Sequence, residues 1–206
     1  MRNMPVAGQP PATLVLLEGP SDVAAVTTLL AAQEGAGERS AYELVDLGGV
    51  TNVGAHLRRA AHADPSPRVV GLCDAGEARV VLRALQRVGR AIAAPQELSE
   101  EAFFVCDRDL EDELIRALGP QRCLEVLEEQ RLSGRFAAFS RQPAWAGRPL
   151  TARLHRFCGV ASGRKILLAG AMAAALTPDQ VPPPLAGLLE SLQEADARAW
   201  QGDARA

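Results

Sequence analysis

The sequence contains little or nothing of several common features, and most of these absences argue against a class of protein or activity. Lysine occurs once, at Lys165, against 21 arginines. No stretch is long and uncharged enough to span a membrane. Residues 1–12 lack the basic and apolar parts of a signal peptide. The phosphate loop GxxxxGK[ST] is absent, so ATP hydrolysis is not expected from this chain. A cytoplasmic protein without a membrane span is therefore predicted.

The cysteines and histidines lack the spacing of metal or redox sites. The four cysteines form no CxxC pair. They could make two disulfides, but two of them fall inside predicted core strands, which favours buried thiols in a reducing compartment. The histidines are scattered and are interpreted as structural. These residues are Cys73, Cys106, Cys123, Cys158, His56, His62 and His155. Ser21 and Ser162 have no nearby His-Asp pattern, which argues against a serine hydrolase.

Acidic residues are missing from a long stretch of the C-terminal half. Between Gln130 and Pro178 there is no Asp or Glu, and the net charge is +8 with histidine neutral. The whole chain carries −3, so the remainder carries −11. The cations of this basic stretch are Arg131, Arg135, Arg141, Arg148, Arg153, Arg156, Arg164 and Lys165.

The same basic stretch holds half of the chain's eight aromatic residues, namely Phe136, Phe139, Trp145 and Phe157. Clustered cations with interleaved aromatics are typical of nucleic-acid binding, because cations contact phosphates and rings stack on bases. Arg153, Arg156 and Arg164 are the candidate phosphate contacts. The alternative is a solvated basic face whose aromatic rings point into the core.

Acidic residues instead follow three short apolar runs that read as buried parallel strands. The runs and their acids are residues 13–17 with Glu18 and Asp22, residues 69–73 with Asp74 and Glu77, and residues 102–106 with Asp107, Asp109 and Glu111. Carboxyl ends of parallel strands meet at one edge of a sheet, where function collects. Crowded carboxylates need cations, and hard oxygen ligands suit Mg²⁺ or Mn²⁺. A metal-dependent enzyme acting on phosphate groups is predicted.

Alternating strands and helices predict an α/β fold with right-handed crossovers. A second, shorter strand is expected at 43–47, and helices at about 21–33, 51–62, 77–88 and 109–118. Everything after Gln121 reads as helical, with helices at about 121–132, 163–176 and 184–199 and a loop at 140–149. The predicted organisation is a tail (1–12), an α/β domain (13–120), a helical extension packed on it (121–199) and a second tail (200–206).

The ordered motifs resemble a TOPRIM domain. These motifs are Glu18-Gly19-x-x-Asp22, the Gly48-Gly49 turn, the apolar strand to Asp74, and Asp109-Leu110-Glu111. The resemblance is strongest to the C-terminal region of OLD (overcoming-lysogenization-defect) family nucleases. It continues into Ser162 to Ala169, which is similar to their lysine-bearing helix, and covers residues 14–192.

This resemblance implies a TOPRIM-like parallel four-stranded sheet flanked by helices, and Mg²⁺- or Mn²⁺-dependent cleavage of DNA, favoured over RNA, by a two-metal route. Glu18 and Asp22 would hold one ion, and Asp74, Asp109 and Glu111 would serve the other or both. Glu18 and Asp74 would also act in catalysis, and Lys165 would stand over the scissile phosphate. On its helix, Ile166, Leu167 and Leu168 are expected to anchor Lys165 against the domain.

Two departures from the family pattern leave alternatives open. TOPRIM domains usually carry Asp-x-Asp at the third strand, but here Gly76 replaces the second Asp, and Glu77 is the candidate substitute. An ATPase is not expected from this chain, so a separate ATPase subunit is a candidate partner, and self-association stays open. The alternatives to the nuclease are a weakened TOPRIM protein that binds nucleic acid or protein, and another TOPRIM chemistry such as nucleotidyl transfer or RNA cleavage.

Overall fold

The computed structural model describes residues 12–33 and 42–203, which form a four-stranded parallel sheet with helices on both faces. The strands are β1 (Thr13–Leu17), β2 (Tyr42–Asp46), β3 (Arg68–Asp74) and β4 (Phe103–Cys106), in the order β2-β1-β3-β4. The predicted α/β fold is confirmed, and each strand begins and ends within one residue of its predicted bounds. The predicted tail at 1–12 lies outside the described residues, apart from Ala12.

Eight helices are described. They are α1 (Pro20–Gln33), α2 (Val53–Ala61), α3 (Ala78–Arg87), α4 (Leu110–Glu129), α5 (Ser133–Ser140), α6 (Leu150–Gly159), α7 (Ser162–Ala174) and α8 (Pro183–Asp203). The sequence predicted helical structure after Gln121 but did not delimit α5 and α6. Helix α8 continues into the segment predicted as a C-terminal tail, and residues 204–206 lie outside the described part. None of the described helices is both long and apolar enough to cross a bilayer.

The strand order places a topological switch point beside β1. The chain passes from β1 to β2 on one side of the sheet centre and then returns to β3 on the other. Strands β1 and β3 pair in parallel, with Thr13 opposite Arg68 and Leu16 opposite Gly71. Glu18 therefore leaves β1 next to the carboxyl end of β3, at the crevice where open α/β sheets bind ligands.

The side chains of the sheet alternate between two apolar cores. Val15 and Leu17 of β1 face a core shared with α1, α4, α6, α7 and α8. Leu16 faces the smaller core beneath α2 and α3. Close packing in this second core depends on Gly71, because a Cβ there would overlap the ring of Phe103 on the neighbouring strand. All four cysteines are buried and unpaired, as predicted.

Helix α4 crosses the predicted boundary between the α/β domain and the helical extension. Gly119 leaves helical geometry, with φ 76° and ψ 155°, and the helix resumes at Pro120 without a connecting loop. Before Gly119, Leu114 faces the larger core, and beyond it Val126 and Leu127 face the same core. The helices after residue 120 and the sheet thus bury a common set of apolar side chains.

Candidate metal centre

Three carboxylates meet at the switch point. Glu18, Asp74 and Glu77 each offer an oxygen, and these oxygens all lie within 4.8 Å of one another. We call these three residues the acidic cluster. The backbone places them tightly, because the Gly49 N–H donates to the Glu18 carbonyl at 2.9 Å and the Glu77 N–H donates to the Asp74 carbonyl at 2.9 Å. The second bond closes a turn that brings Glu77 back over the end of β3.

The acidic cluster is electrostatically unfavourable without a cation. Burial, followed by the charges of Glu18 and Asp22, raises the pKa of Asp74 to about 7. Burial and a hydrogen bond with Glu18, which requires a shared proton, raise the pKa of Glu77 to about 8. Carboxyl groups that resist ionisation next to one another are those that a cation would stabilise. The cluster therefore attracts either protons or a metal ion.

The donor set of the cluster fits Mg²⁺ or Mn²⁺. All three groups present carboxylate oxygens, which are the hard ligands that these ions prefer. Glu77 Oε2 is fully shielded from solvent and, among the described residues, accepts no hydrogen bond from a donor group. Glu77 also compensates for Gly76, which stands where TOPRIM domains usually have a second Asp, because Glu77 supplies a carboxylate that glycine lacks. The predicted approach of Glu18 to Asp74 is confirmed.

Asp22 and Glu111 form a second acidic pair beside the cluster, around Lys165. Lys165 Nζ lies 3.4 Å from Glu111 Oε1. Burial raises the pKa of Asp22 to about 6 although the charge of Lys165 opposes the shift. Burial likewise raises the pKa of Glu111 against the effect of Lys165. Both acids are almost fully enclosed, so the lysine is their principal counterion within the described part of the chain.

Lys165 reaches the acids from the first turn of α7. Partial burial lowers its pKa, but Glu111 and Asp22 more than compensate, and the net pKa is raised. The amine is therefore held as an ammonium beside Glu111, and the charges of Asp22 and Glu18 also act on it. One expectation about its helix was wrong. Ile166 and Leu167 are 37% and 47% exposed, and only Leu168 is buried, because the start of α7 presents a single face to the core.

Asp109 lies at the start of α4, with its carboxylate engaged by the protein. It is the N-cap residue, and Oδ1 accepts a hydrogen bond from the Asp112 N–H at 2.8 Å. His155 Nε2 lies 2.9 Å from Oδ1 and 2.7 Å from Oδ2. Sequence reasoning treated His155 as a scattered structural histidine and missed this contact. The residues are 46 positions apart, and no spacing pattern signals such a pair.

The remaining acids of the α4 start are explained by local ion pairs. Arg116 contacts Glu113 at 2.7 Å, Asp112 at 3.1 Å and Asp107 at 3.7 Å. Glu113 also accepts a hydrogen bond from the Asp107 N–H at 2.8 Å. An acidic first turn complements the helix dipole, so these residues have a structural reason to be present. The acidic cluster, whose oxygens lie within 4.8 Å of one another, includes none of these acids. Among the described residues it also excludes Asp22, Asp109 and Glu111.

The aromatics of the basic stretch pack on one another. Phe136 and Phe157 are buried, and Phe139 stacks on Trp145 with ring centroids 5.2 Å apart. The guanidinium of Arg164 covers the Phe157 ring, with Cζ 3.9 Å from its centroid. The core interpretation is therefore correct for Phe136 and Phe157, whereas Phe139 and Trp145 are half-buried.

The candidate arginines differ in exposure. Arg156 is exposed, whereas Arg153 and Arg164 are half-buried. His155 and Arg156 are adjacent on α6, so the exposed Arg156 stands next to a residue that contacts the Asp109 carboxylate. Helix α6 therefore reaches the start of α4 through His155 and carries an exposed arginine at the following position.

No protein-family model matches the sequence, and no curated protein matches it. Solved structures do match. The C-terminal region of the Burkholderia pseudomallei OLD protein superposes over 91% of this chain and 100% of its own, with 19% identity and a TM-score of 0.64. The chain has the fold of an OLD C-terminal region. A platinum-phased structure of that region from the Xanthomonas campestris pv. campestris OLD protein gives 21% identity and a TM-score of 0.67, over 93% of this chain and 97% of its own.

The OLD-like fold covers the sheet and the helices after it, since the matched share is above nine-tenths of the chain. The resemblance drawn from the sequence motifs is therefore confirmed for the fold. At such low identity, the chemistry of the site has to be argued from its own side chains. Those side chains are the acidic cluster, the Asp22–Glu111–Lys165 group beside it, and the Asp109–His155 pair.

Proposed function

We propose that this chain is a Mg²⁺- or Mn²⁺-dependent nuclease of TOPRIM type that hydrolyses phosphodiester bonds in DNA. The observation that carries the proposal is the acidic cluster, whose three carboxylates converge at the switch point of an OLD-like fold. A divalent ion in such a site lowers the pKa of bound water and neutralises charge on a phosphoryl group. Glu18, Asp74 and Glu77 would hold this ion.

Lys165 would act on the substrate. Its ammonium group lies within ion-pair distance of Glu111, and the side chain as a whole is 37% exposed, so the lysine is both held by the protein and reached by solvent. A positive charge fixed beside a scissile phosphate stabilises the negative charge that develops in the transition state. Asp22 and Glu111 would keep the amine protonated, since both raise its pKa.

For a two-ion route, further carboxylates must contribute to a second ion. Asp22 and Glu111 are the acids placed to do so, because each is buried beside the cluster with a raised pKa. In the structure described here their counterion is Lys165. A second ion would therefore enter a position that the lysine already neutralises in part. We propose that it binds more weakly than the ion at the acidic cluster.

The basic stretch would supply the nucleic-acid surface. Its net charge of +8 contrasts with −11 for the rest of the chain, and Arg156 on α6 is exposed. Arg153 and Arg164 would contribute charge from half-buried positions, with Arg164 fixed by Phe157. DNA is the favoured substrate on the strength of the OLD-like fold. A separate ATPase subunit is proposed as a partner, because the sequence holds no phosphate loop of its own.

The weakened-site alternative rested on Gly76, and the position of Glu77 removes its main support. Glu77 brings its carboxylate to the cluster from one residue further along the chain. RNA cleavage uses the same type of metal site and differs from DNA cleavage in its substrate, whereas nucleotidyl transfer differs in its nucleophile, which is a hydroxyl group instead of water. The proposal therefore needs an experiment that varies the substrate while the metal site is held constant.

The test is a Mn²⁺ titration with supercoiled plasmid DNA and single-stranded RNA side by side. The parent chain should cleave DNA only when Mn²⁺ or Mg²⁺ is present. Asp74→Asn should lose cleavage and Mn²⁺ binding together, whereas Asp179→Asn, at an exposed position after α7, should behave like the parent. If the parent binds no Mn²⁺, the proposed site is wrong. Cleavage of RNA alone would move the proposal to an RNA substrate.

A further inference from the structure

The carboxylate of Asp109 is the only predicted metal ligand whose two oxygens both contact a histidine in the described structure. Oδ1 accepts from the Asp112 N–H at 2.8 Å, and His155 Nε2 bridges both oxygens at 2.9 and 2.7 Å. Arg108 adds an ion pair at 3.8 Å to Oδ2. A carboxylate has about four lone-pair positions, and three contacts here use most of them.

Other acids at the same edge have unused oxygens. Glu77 Oε2 and Glu111 Oε1 are fully shielded from solvent and have no hydrogen-bond donor within the described residues, although Glu111 has Lys165 as an ion-pair partner. The charge of Asp109 nevertheless reaches the site, because it contributes to the raised pKa values of Asp74 and Glu111. Asp109 is thus near enough to attract an ion but is not free to bind one directly.

The chemistry of the contact does not depend on the charge of the imidazole. A neutral ring protonated at Nε2 and an imidazolium both donate from that nitrogen. In either form His155 occupies lone pairs that a metal ion would need. His155 is itself held in place, because α6 packs against α4 and its neighbours Leu154 and Phe157 are buried in the larger core.

We propose that His155 withholds Asp109 from the metal centre. Asp109 then serves as the helix cap of α4, and the ion-binding carboxylates are those of the acidic cluster together with Asp22 and Glu111. His155 is on this view a positioning residue that limits the ligand set. The inference deepens the metal site proposed above and rests on it.

Asp109→Asn tests the first half of the inference. Asparagine is as good an N-cap as aspartate, so α4 should keep its start. Mn²⁺ affinity, measured by calorimetry on the full chain, should stay within about threefold of the parent, with the modest change due to one lost charge. If Asp109→Asn abolishes Mn²⁺ binding as Asp74→Asn does, Asp109 is a direct ligand and the inference is wrong.

His155→Ala tests the second half of the inference, that His155 withholds Asp109 from the ion. Loss of a metal ligand weakens metal binding, but this substitution should have the opposite effect. Freeing the carboxylate should tighten Mn²⁺ binding by roughly tenfold, in line with the release of a hydrogen bond to a charged group. His155→Gln, whose amide can still donate to Asp109, should stay close to the parent. His62→Ala, at an exposed histidine of the α2 end, is the matched control.

The double variant His155→Ala/Asp109→Asn separates the effect from any general loosening of α6. Its Mn²⁺ affinity should not show the increase expected for His155→Ala, because the carboxylate that the substitution releases is absent. Weaker or unchanged Mn²⁺ binding in His155→Ala would overturn the inference, as would a gain that persists in the double variant. If the parent binds no Mn²⁺ at all, the metal site itself fails. A parent that binds Mn²⁺ normally leaves that site intact whatever His155 does.

Discussion

Two groups of acids at the same sheet edge differ in their partners. Glu18, Asp74 and Glu77 approach one another within 4.8 Å, and burial and mutual repulsion raise the pKa values of Asp74 and Glu77. Asp109 and Glu111, at the start of α4, each have a basic partner from the helices after residue 120, at His155 and Lys165.

This difference separates the acids that already have a counterion in the protein from those that a bound cation would stabilise. An acid with a built-in partner is already stabilised, whereas acids that face only one another raise the free energy of the folded state until a proton or metal ion arrives. Their total charge alone would not distinguish the two groups. The contacts do distinguish them, and they indicate that a bound ion would stabilise most strongly the acids at the ends of β1 and β3.

The largest expected effect comes from removing one charge of the acidic cluster. Glu18→Gln or Glu77→Gln should weaken Mn²⁺ binding by about a hundredfold or more, because an ion with few protein ligands loses one of them. The melting temperature in EDTA should stay the same or rise, since repulsion is relieved. Calorimetry and thermal melts measure both quantities.

The control for this prediction is Glu100→Gln, at an exposed glutamate in the segment before β4. It should change neither Mn²⁺ affinity nor melting temperature. If Glu77→Gln binds Mn²⁺ like Glu100→Gln, the contrast between the two acid groups has no functional meaning.

The next effect concerns the chemistry of Lys165. Lys165→Arg keeps a positive charge, but the broader guanidinium cannot occupy the compact position of the amine beside Glu111. Cleavage should fall by tenfold or more, about 1.4 kcal/mol in the barrier, while Mn²⁺ binding and stability are preserved. Single-turnover cleavage rates measure the loss. Arg135→Lys, on the exposed side of α5, is the matched exchange and should be silent. Parent-like cleavage by Lys165→Arg would refute the catalytic assignment.

A smaller effect is expected on the basic side of the comparison. Two phosphate contacts, if made by Arg153 and Arg156, account for about 1.4 to 1.8 log units of affinity per log unit of salt. Replacing both with alanine should flatten the salt dependence of DNA binding by that amount, as measured by anisotropy between low and moderate salt. Arg58 and Arg59, exposed on α2 at the other face of the sheet, provide the control pair. An unchanged slope would exclude α6 from the DNA interface.

The last effect is on the pH dependence of stability without metal. The pKa values of Asp74 and Glu77 rise from 3.8 and 4.5 to about 7 and about 8 on folding. Between these limits the folded state binds more protons than the unfolded state, so the free energy of unfolding from these groups falls as pH rises. Urea unfolding in EDTA at several pH values should show this loss up to about pH 8. Glu77→Gln should reduce the slope, and an equal slope in the variant would contradict the assigned shift.

The sheet could be predicted almost to the residue because its strands are short apolar runs bounded by turns. The helices α5 and α6 could not be delimited. Each is short, and their main anchors, Phe136 and Phe157, contact each other across the two helices with ring centroids 5.2 Å apart. Such helices are stabilised by tertiary packing, which a local pattern does not reveal. The exposure of Ile166 and Leu167 was mispredicted for the same reason.

The acids of the site were predictable because strand ends of a parallel sheet must meet at one edge. Even Glu77 could be named, although its spacing differs from the family pattern, since the turn after Asp74 allows it to fold back. The His155–Asp109 pair could not be predicted. It depends on how α6 crosses α4, which is fixed by packing far from either residue in sequence.

The contact between α1 and α7 has a mechanical consequence for the site. A Cβ at Gly170 would lie 3.5 Å from Thr28 Oγ1 and 3.8 Å from the Ala24 carbonyl oxygen, so the two helices are in van der Waals contact there through small residues. Asp22 stands at the start of one helix and Lys165 at the start of the other. The packing of α1 against α7 therefore fixes the distance between this acid and this amine, so changes anywhere along that helix contact would alter the site without replacing one of its residues.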